Sequence, residues 1–151
     1  MIRRLLPHEV SSITSLGKAM VEEIGGIPGG FNAGVFESNW RALLSSGQGL
    51  ILVNEEAGSI TGGVGGSLSS DVNSGLVAFS ELFFYVDKDK RGIGLKLLIR
   101  LDKELRQIGV KISYMASLCS DDKQEGVDKL YERLGYKPHN HTMIKDYTNA
   151  D

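Results

Sequence analysis

The apolar residues of this 151-residue chain change their spacing at defined points, and those changes divide it into strands and helices. Ile2 to Leu6 is a short strand. Beyond Pro7, Val10, Ile13, Leu16 and Met20 recur at helical spacing until Gly25-Gly26 stops the run. Gly25 to Gly30, with Pro28 inside it, is a loop. Asn32 can cap a second helix that carries Phe36, Trp40, Leu43 and Leu44 on one face and ends by Gly47. Leu50 to Val53 and Ile60 to Leu68 form a hairpin about a turn at Asn54 to Gly58. Leu76 to Val86, rich in Val, Phe and Tyr, is the longest strand. The helical period then returns: Ile93, Leu97, Leu101, Leu105 and Ile108 make one stripe, ended by Gly109. Val110 to Leu118 alternates as a strand. Asp121 or Asp122 can cap a last helix with Val127, Leu130, Tyr131 and Leu134 on one face, stopped by Gly135, and Thr142 to Tyr147 is a final strand. The order β-α-α-β-β-β-α-β-α-β, without linker or repeat, predicts a single α/β domain over residues 1–151 with a mixed sheet.

Composition narrows the function classes. Hydrophobic residues at 41% and charged residues at 24% are ordinary globular values, which exclude disordered and fibrous classes. A net charge of -2 supplies no basic field for nucleic acid or an anionic membrane. No apolar run is long enough for a membrane span, so a soluble cytoplasmic protein is expected. The one cysteine, Cys119, rules out an internal disulfide and suits a reducing compartment. It lacks a His/Asn set and is read as a small buried thiol. His139 and His141 lack metal-ligand company, so no metal is expected. Gly62-Gly63-Val64-Gly65-Gly66 lies inside a strand pattern with no helix after it, which favours a bulged or closely packed strand over a phosphate cradle.

The chemistry concentrates in Glu81 to Leu98, where a strand ending at Val86 runs into a basic, glycine-containing turn that opens the third helix. The first amides of a helix lack internal partners and carry the positive end of its dipole, so they suit a phosphate. Glycines let the backbone approach the oxygens. Lys88, Lys90 and Arg91 add positive charge nearby. The turn is neither a P-loop nor the dinucleotide fingerprint, because Gly-x-x-x-x-Gly-Lys-Ser/Thr and the third glycine are absent.

This stretch resembles the acetyl-CoA motif of the GNAT acetyltransferase superfamily, in which a Val-ending strand passes through Arg/Gln-x-x-Gly-x-Gly/Ala into a helix. Roughly forty residues later, Lys129-Leu130-Tyr131-Glu132-Arg133-Leu134-Gly135-Tyr136 resembles the superfamily's Leu-Tyr-Glu-x-Leu-Gly-Phe/Tyr signature. Ile2-Arg3 followed by a helix, and the hairpin at Gly58, look like its N-terminal half, so the resemblance spans nearly the whole chain. The loop departs from the pattern. Starting the motif at Arg91 puts Lys96 where Gly or Ala is usual, and starting it at Asp89 puts Asp where Arg or Gln is usual. The candidate pyrophosphate site is therefore a segment: Lys90, Arg91, Gly92, Ile93, Gly94 and Leu95.

The resemblance implies a single-domain GNAT-like fold, with a mixed central sheet flanked by about four helices. It implies acetyl-CoA as co-substrate and direct transfer of the acetyl group to a primary amine in a ternary complex. The acceptor, a small molecule or a peptide amine, is not legible. Backbone groups near Phe84 and Val86 would pair with the pantetheine arm like an added strand. Tyr131 matches the tyrosine that protonates the departing thiolate in the superfamily, although its stripe with Val127 and Leu134 also fits core packing. Some members carry a general base in a glutamate such as Glu81, for which a solvated or ion-paired strand glutamate is the alternative. Strand alternation places Glu81 on the face opposite Phe84 and Val86, and a base role requires burial to lift its pKa from ~4.3. Dimers are common in the superfamily, which leaves a homodimer open, with the C-terminal strand taking part. The competing reading is an acyl-CoA-binding regulatory module of the same fold without turnover.

Overall fold

The computed structural model describes residues 1–116 and 121–148, without the side chains of 121–125. β1 (Ile2–Arg4) leads through a 3-10 segment (Pro7–Ile13) into α1 (Thr14–Glu23), and α2 (Ala33–Ser45) follows. β2 (Gly49–Glu56), β3 (Ser59–Ser70) and β4 (Val77–Val86) form an antiparallel meander with β1 on its outer edge. α3 (Ile93–Gln107) then crosses to β5 (Ile112–Tyr114), which lies parallel to β4, and α4 (Asp121–Arg133) ends the helical part. Parallel neighbours cannot be joined by a tight turn, so the sheet needs α3 as its crossover. The sheet order is β1-β2-β3-β4-β5.

The helix boundaries follow the punctuation in the sequence. Asn32 caps α2, its side-chain oxygen accepting the Val35 amide at 3.0 Å. The four helices end two residues before Gly25, Gly47, Gly109 and Gly135, all at positive φ. The sheet buries both faces. Leu50, Leu52, Val64 and Phe79 pack with Leu97, Leu101, Leu105 and Tyr131 of α3 and α4. Ile51, Val53, Phe83 and Tyr85 pack with Val10, Ile13, Leu16 and Trp40 on the other side. No helix among the described residues is long and apolar enough to cross a membrane.

Two expectations fail at the far end of the sheet. β5 spans Ile112–Tyr114 and takes in neither residues 110–111 nor 115–116 of the expected Val110 to Leu118, whose last two residues lie outside the described ones, because its ladder among the described residues is the short parallel one with β4. Residues 142–147 form no strand: Met143, Ile144 and Tyr147 are 87%, 77% and 80% exposed. Adjacent Met143 and Ile144 cannot both face one side of a pleat, and no strand among the described residues takes up the backbone groups. Cys119 lies outside the described residues, as do the side chains of the capping candidates Asp121 and Asp122.

The glycine-rich run is a closely packed strand with a bulge opposite it. The β3–β4 register steps from Gly65↔Phe83 to Gly66↔Glu81, so Leu82 is an extra residue in β4. At Gly66 a Cβ would stand 2.1 Å from the Ser80 carbonyl oxygen and 2.7 Å from the Phe79 ring. The obstacle is backbone, which cannot swing aside, so only glycine fits beneath the bulge. Gly66→Ala is expected to lower unfolding free energy by about 2–4 kcal/mol in chemical denaturation. A loss below about 0.5 kcal/mol would contradict this close approach.

Candidate active-site cleft

β4 and β5 pair over three rungs only: Ala78↔Ile112, Phe79↔Ser113 and Ser80↔Tyr114. Beyond Ser80, β4 runs on to Val86 while β5 stops at Tyr114, and the strands part. The wedge between them is a cavity of about 420 Å³. Its walls are β4 from Glu81 to Val86, the C-terminal end of α1, the first turn of α3, Ala116 and the inner face of α4. The lining is mostly apolar, with a few charged groups and an open strand edge, an arrangement that suits a ligand with an extended, amide-bearing portion.

Glu81 occupies this cleft because of the bulge. Uninterrupted alternation would put it opposite Phe84 and Val86. The extra residue, Leu82, reverses the parity, and Glu81 pairs with Gly66 on the face that Leu50, Phe84 and Val86 share. The sequence-based expectation for its face is thereby corrected. Burial pushes the Glu81 carboxyl up to about 7, opposed by a hydrogen bond from the Ala116 amide that favours the charged form.

Tyr131 comes from α4 and is 6% exposed. Its ring lies 6.5 Å from Phe84 and 5.7 Å from Tyr136, centre to centre, and its hydroxyl donates to the Ala116 carbonyl at 3.0 Å. Core packing and cleft lining are therefore both true of it. Ala116 serves both groups: its N–H holds Glu81 and its C=O receives Tyr131.

At the other end of the cleft, α3 begins with Gly92 as its N-cap. A Cβ at Gly92 would meet nothing within 4 Å, leaving the backbone open to approach from outside. At Gly94 it would meet the Phe84 ring at 3.5 Å, so that glycine lets the helix lie close to β4. Within the turn, the Lys90 amide bonds to the Asp87 carbonyl at 2.8 Å and the Gly94 amide to the Arg91 carbonyl at 3.2 Å. Two of the three cations expected beside a phosphate, Lys90 and Arg91, have carboxylate partners. Lys90 pairs with Glu56 at 3.0 Å, while Arg91 pairs with Glu23 at 2.8 Å and lies over the Tyr85 ring, 5.3 Å from its centre. Such half-exposed pairs are weak, and their cations keep donors to share with a further anion.

Of the ten sequence-predicted site residues, six line the cavity: Glu81, Phe84, Val86, Arg91, Gly94 and Tyr131. Lys90, Gly92, Ile93 and Leu95 do not, and the Ile93 side chain packs against the core beneath α3. Sequence reasoning missed Ala116, Leu82 and Glu23. Ala116 contributes backbone groups, which leave no residue signature. Leu82 matters through a bulge whose only trace was the density of glycines in β3.

No family model matches the chain, and no curated protein matches it in sequence. Solved structures do match in fold. An aminoglycoside acetyltransferase from an uncultured soil metagenomic sample aligns at 20% identity with a TM-score of 0.73, over 96% of this chain and 97% of that one. A predicted acetyltransferase with acetyl-CoA from Clostridium acetobutylicum aligns at 16% identity and a TM-score of 0.78, over 97% and 95%. Glucosamine-6-phosphate N-acetyltransferase from Arabidopsis thaliana aligns at 21% identity and a TM-score of 0.67, over 97% of both chains. The chain shares its fold with these acetyltransferases, the single-domain α/β architecture that the two sequence motifs led one to expect.

The raised Glu81 pKa has a consequence for stability. The folded protein keeps this proton up to about pH 7, whereas the unfolded chain releases it near 4.5, so stability falls as pH rises through that window. Glu81→Gln removes the titration. The variant should gain about 2 kcal/mol on wild type between about pH 4 and about pH 8, a figure discounted for the carboxylate's partial access to water. Urea denaturation across that range measures it, and parallel pH curves for the two proteins would refute the burial.

Proposed function

We propose that this protein is an N-acetyltransferase that moves an acetyl group from acetyl-CoA directly to a primary amine within a ternary complex. The observation that carries the reading is the convergence, in one cleft between parted strands, of a carboxyl titrating near 7 and a tyrosine held by the same residue, with a helix N-terminus at the other end. The fit to acetyl-CoA rests on this chain's own groups. The open edge of β4 at Phe84 and Val86 offers N–H and C=O groups to an amide-bearing arm. The amides opening α3 other than that of Gly94, which bonds the Arg91 carbonyl, suit a pyrophosphate, with Gly92 clearing the approach. An anion arriving there shares Arg91 and Lys90 with Glu23 and Glu56, which stay their partners.

An amine acceptor arrives protonated, since such groups titrate near ~10.4, and cannot attack a thioester in that state. Glu81 is the base in this reading. Its carboxylate accepts the ammonium proton, and a pKa near 7 gives it far better proton affinity than an exposed glutamate while keeping much of it ionised at neutral pH. The freed nitrogen forms the new C–N bond to the acetyl carbonyl carbon as the C–S bond breaks. Tyr131 supplies a proton to the departing sulfur, turning its hydroxyl from the Ala116 carbonyl to do so, and is reprotonated by the surplus proton that the acylated nitrogen sheds as it becomes a neutral amide. Glucosamine-6-phosphate and aminoglycosides are acceptors in the names of two structural neighbours. Their chemical difference means that the shared fold does not select an acceptor.

Acetyl-CoA should raise the melting temperature, and Gly92→Asp should weaken its binding by about tenfold or more by placing negative charge at the helix N-terminus. No shift with acetyl-CoA at millimolar concentration would sink the assignment. With an accepted amine, kcat followed by thiol release should rise with pH through about 7. Glu81→Gln should lower it about 10²–10⁴-fold and abolish that limb, and Tyr131→Phe should cut kcat with little effect on the KM for acetyl-CoA. Acetyl-CoA binding without thiol release from any amine would favour the regulatory module instead.

A further inference from the structure

We infer that the acceptor is a primary amine carried on an aromatic or branched aliphatic group with no second charge, an inference that rests on the acetyl transfer proposed above. A second cavity, of about 180 Å³, is lined by Phe36, Asn39, Trp40, Leu43 and Leu82. Leu82 is the bulged residue of β4, is 51% exposed, and also lines the main cleft, so it forms a wall common to both spaces. It directly follows Glu81 in the chain. An amine whose nitrogen meets the Glu81 carboxylate can therefore place its substituent past Leu82 against α2. The floor is rigid and aromatic: the Phe36 ring is 6.4 Å from Trp40 and 6.5 Å from Phe83, centre to centre. A cavity of about 150 Å³ accommodates a benzene ring, so one phenyl or branched alkyl group fits here.

Charge complementarity excludes the alternatives. Residues 24–32, which join α1 to α2, contain no charged side chain. Glu37 of α2 accepts a hydrogen bond from Thr14 at 2.7 Å and pairs with Arg41 at 3.4 Å. Among the charged residues lining the main cleft, Glu23 and Arg91 pair with one another. Glu81 has no cationic partner among the described residues. Among the described residues the site thus supplies one carboxylate without a cationic partner, for one ammonium. A polyamine or aminoglycoside would desolvate further ammonium groups without partners, and a phosphorylated amino sugar would bring an anion against an apolar wall.

The test measures binding of phenethylamine, spermidine and kanamycin by calorimetry, with and without coenzyme A, beside thiol release from acetyl-CoA. Phenethylamine should bind at least tenfold more tightly than either polycation. Leu82→Asp should weaken phenethylamine about tenfold and strengthen spermidine, and the milder Leu82→Ser should lower phenethylamine affinity alone. The gain for spermidine cannot come from misfolding. Polycations binding as tightly as phenethylamine, or phenethylamine affinity indifferent to both substitutions, would overturn the inference. Selective phenethylamine binding with no thiol release would uphold the pocket while sinking acetyl transfer.

Discussion

The pairing of β4 with β5 ends at Ser80 and Tyr114, and β4 then continues for the six residues from Glu81 to Val86 without that neighbour. An unpaired strand edge inside a fold is costly, because its N–H and C=O groups lose water without gaining partners. The remaining architecture keeps that edge accessible while covering its surroundings. α3 packs its leucines under the sheet, α4 brings Tyr131 and Val127 against the far side of the wedge, and the end of α1 closes the near side. The cleft is thus a consequence of where a ladder stops, and it needs no large loop to enclose it.

The second constraint is a single extra residue. With Leu82 inserted, the β4 side chains before it change face relative to those after it, and Glu81 moves from the α1–α2 side to the cleft. Gly66 makes room for this opposite the bulge, where the Ser80 carbonyl would collide with any side chain. The two are one device: a strand that departs from regular pleating, and a partner strand stripped of side chains to accommodate it. Bulges of this kind re-aim a side chain at functional sites, and here the side chain is a carboxyl whose proton affinity is set by the apolar surroundings it enters.

The fold was legible because its signals are periodic or punctuating. The leucine stripe of α3, the Asn32 cap and the glycines beyond each helix are local statements, and local structure followed them. The lining of the cleft was legible where a motif marked it, as at Tyr131, Gly94 and Val86. What depended on pairing between distant segments was not. The face of Glu81 turned on a register shift in a hairpin, and the end of β5 turned on when two strands diverge. The residues around Ile144 show β-branched and aromatic character, yet strand formation requires a neighbour that composition cannot supply. The roles of Lys90 and Arg91 were obscured for a similar reason, since Glu56 and Glu23, their partners, come from other elements.

Ala116 joins a carboxyl and a phenol from distant elements. The peptide unit on one side of its Cα donates to Glu81, and the unit on the other side accepts from Tyr131. A rotation of the backbone at this one residue would loosen both grips in the same movement, removing a restraint on the anionic carboxylate and releasing the phenol. The carboxyl and the phenol are thus restrained together, by the two peptide units that flank one Cα rather than by side-chain reach.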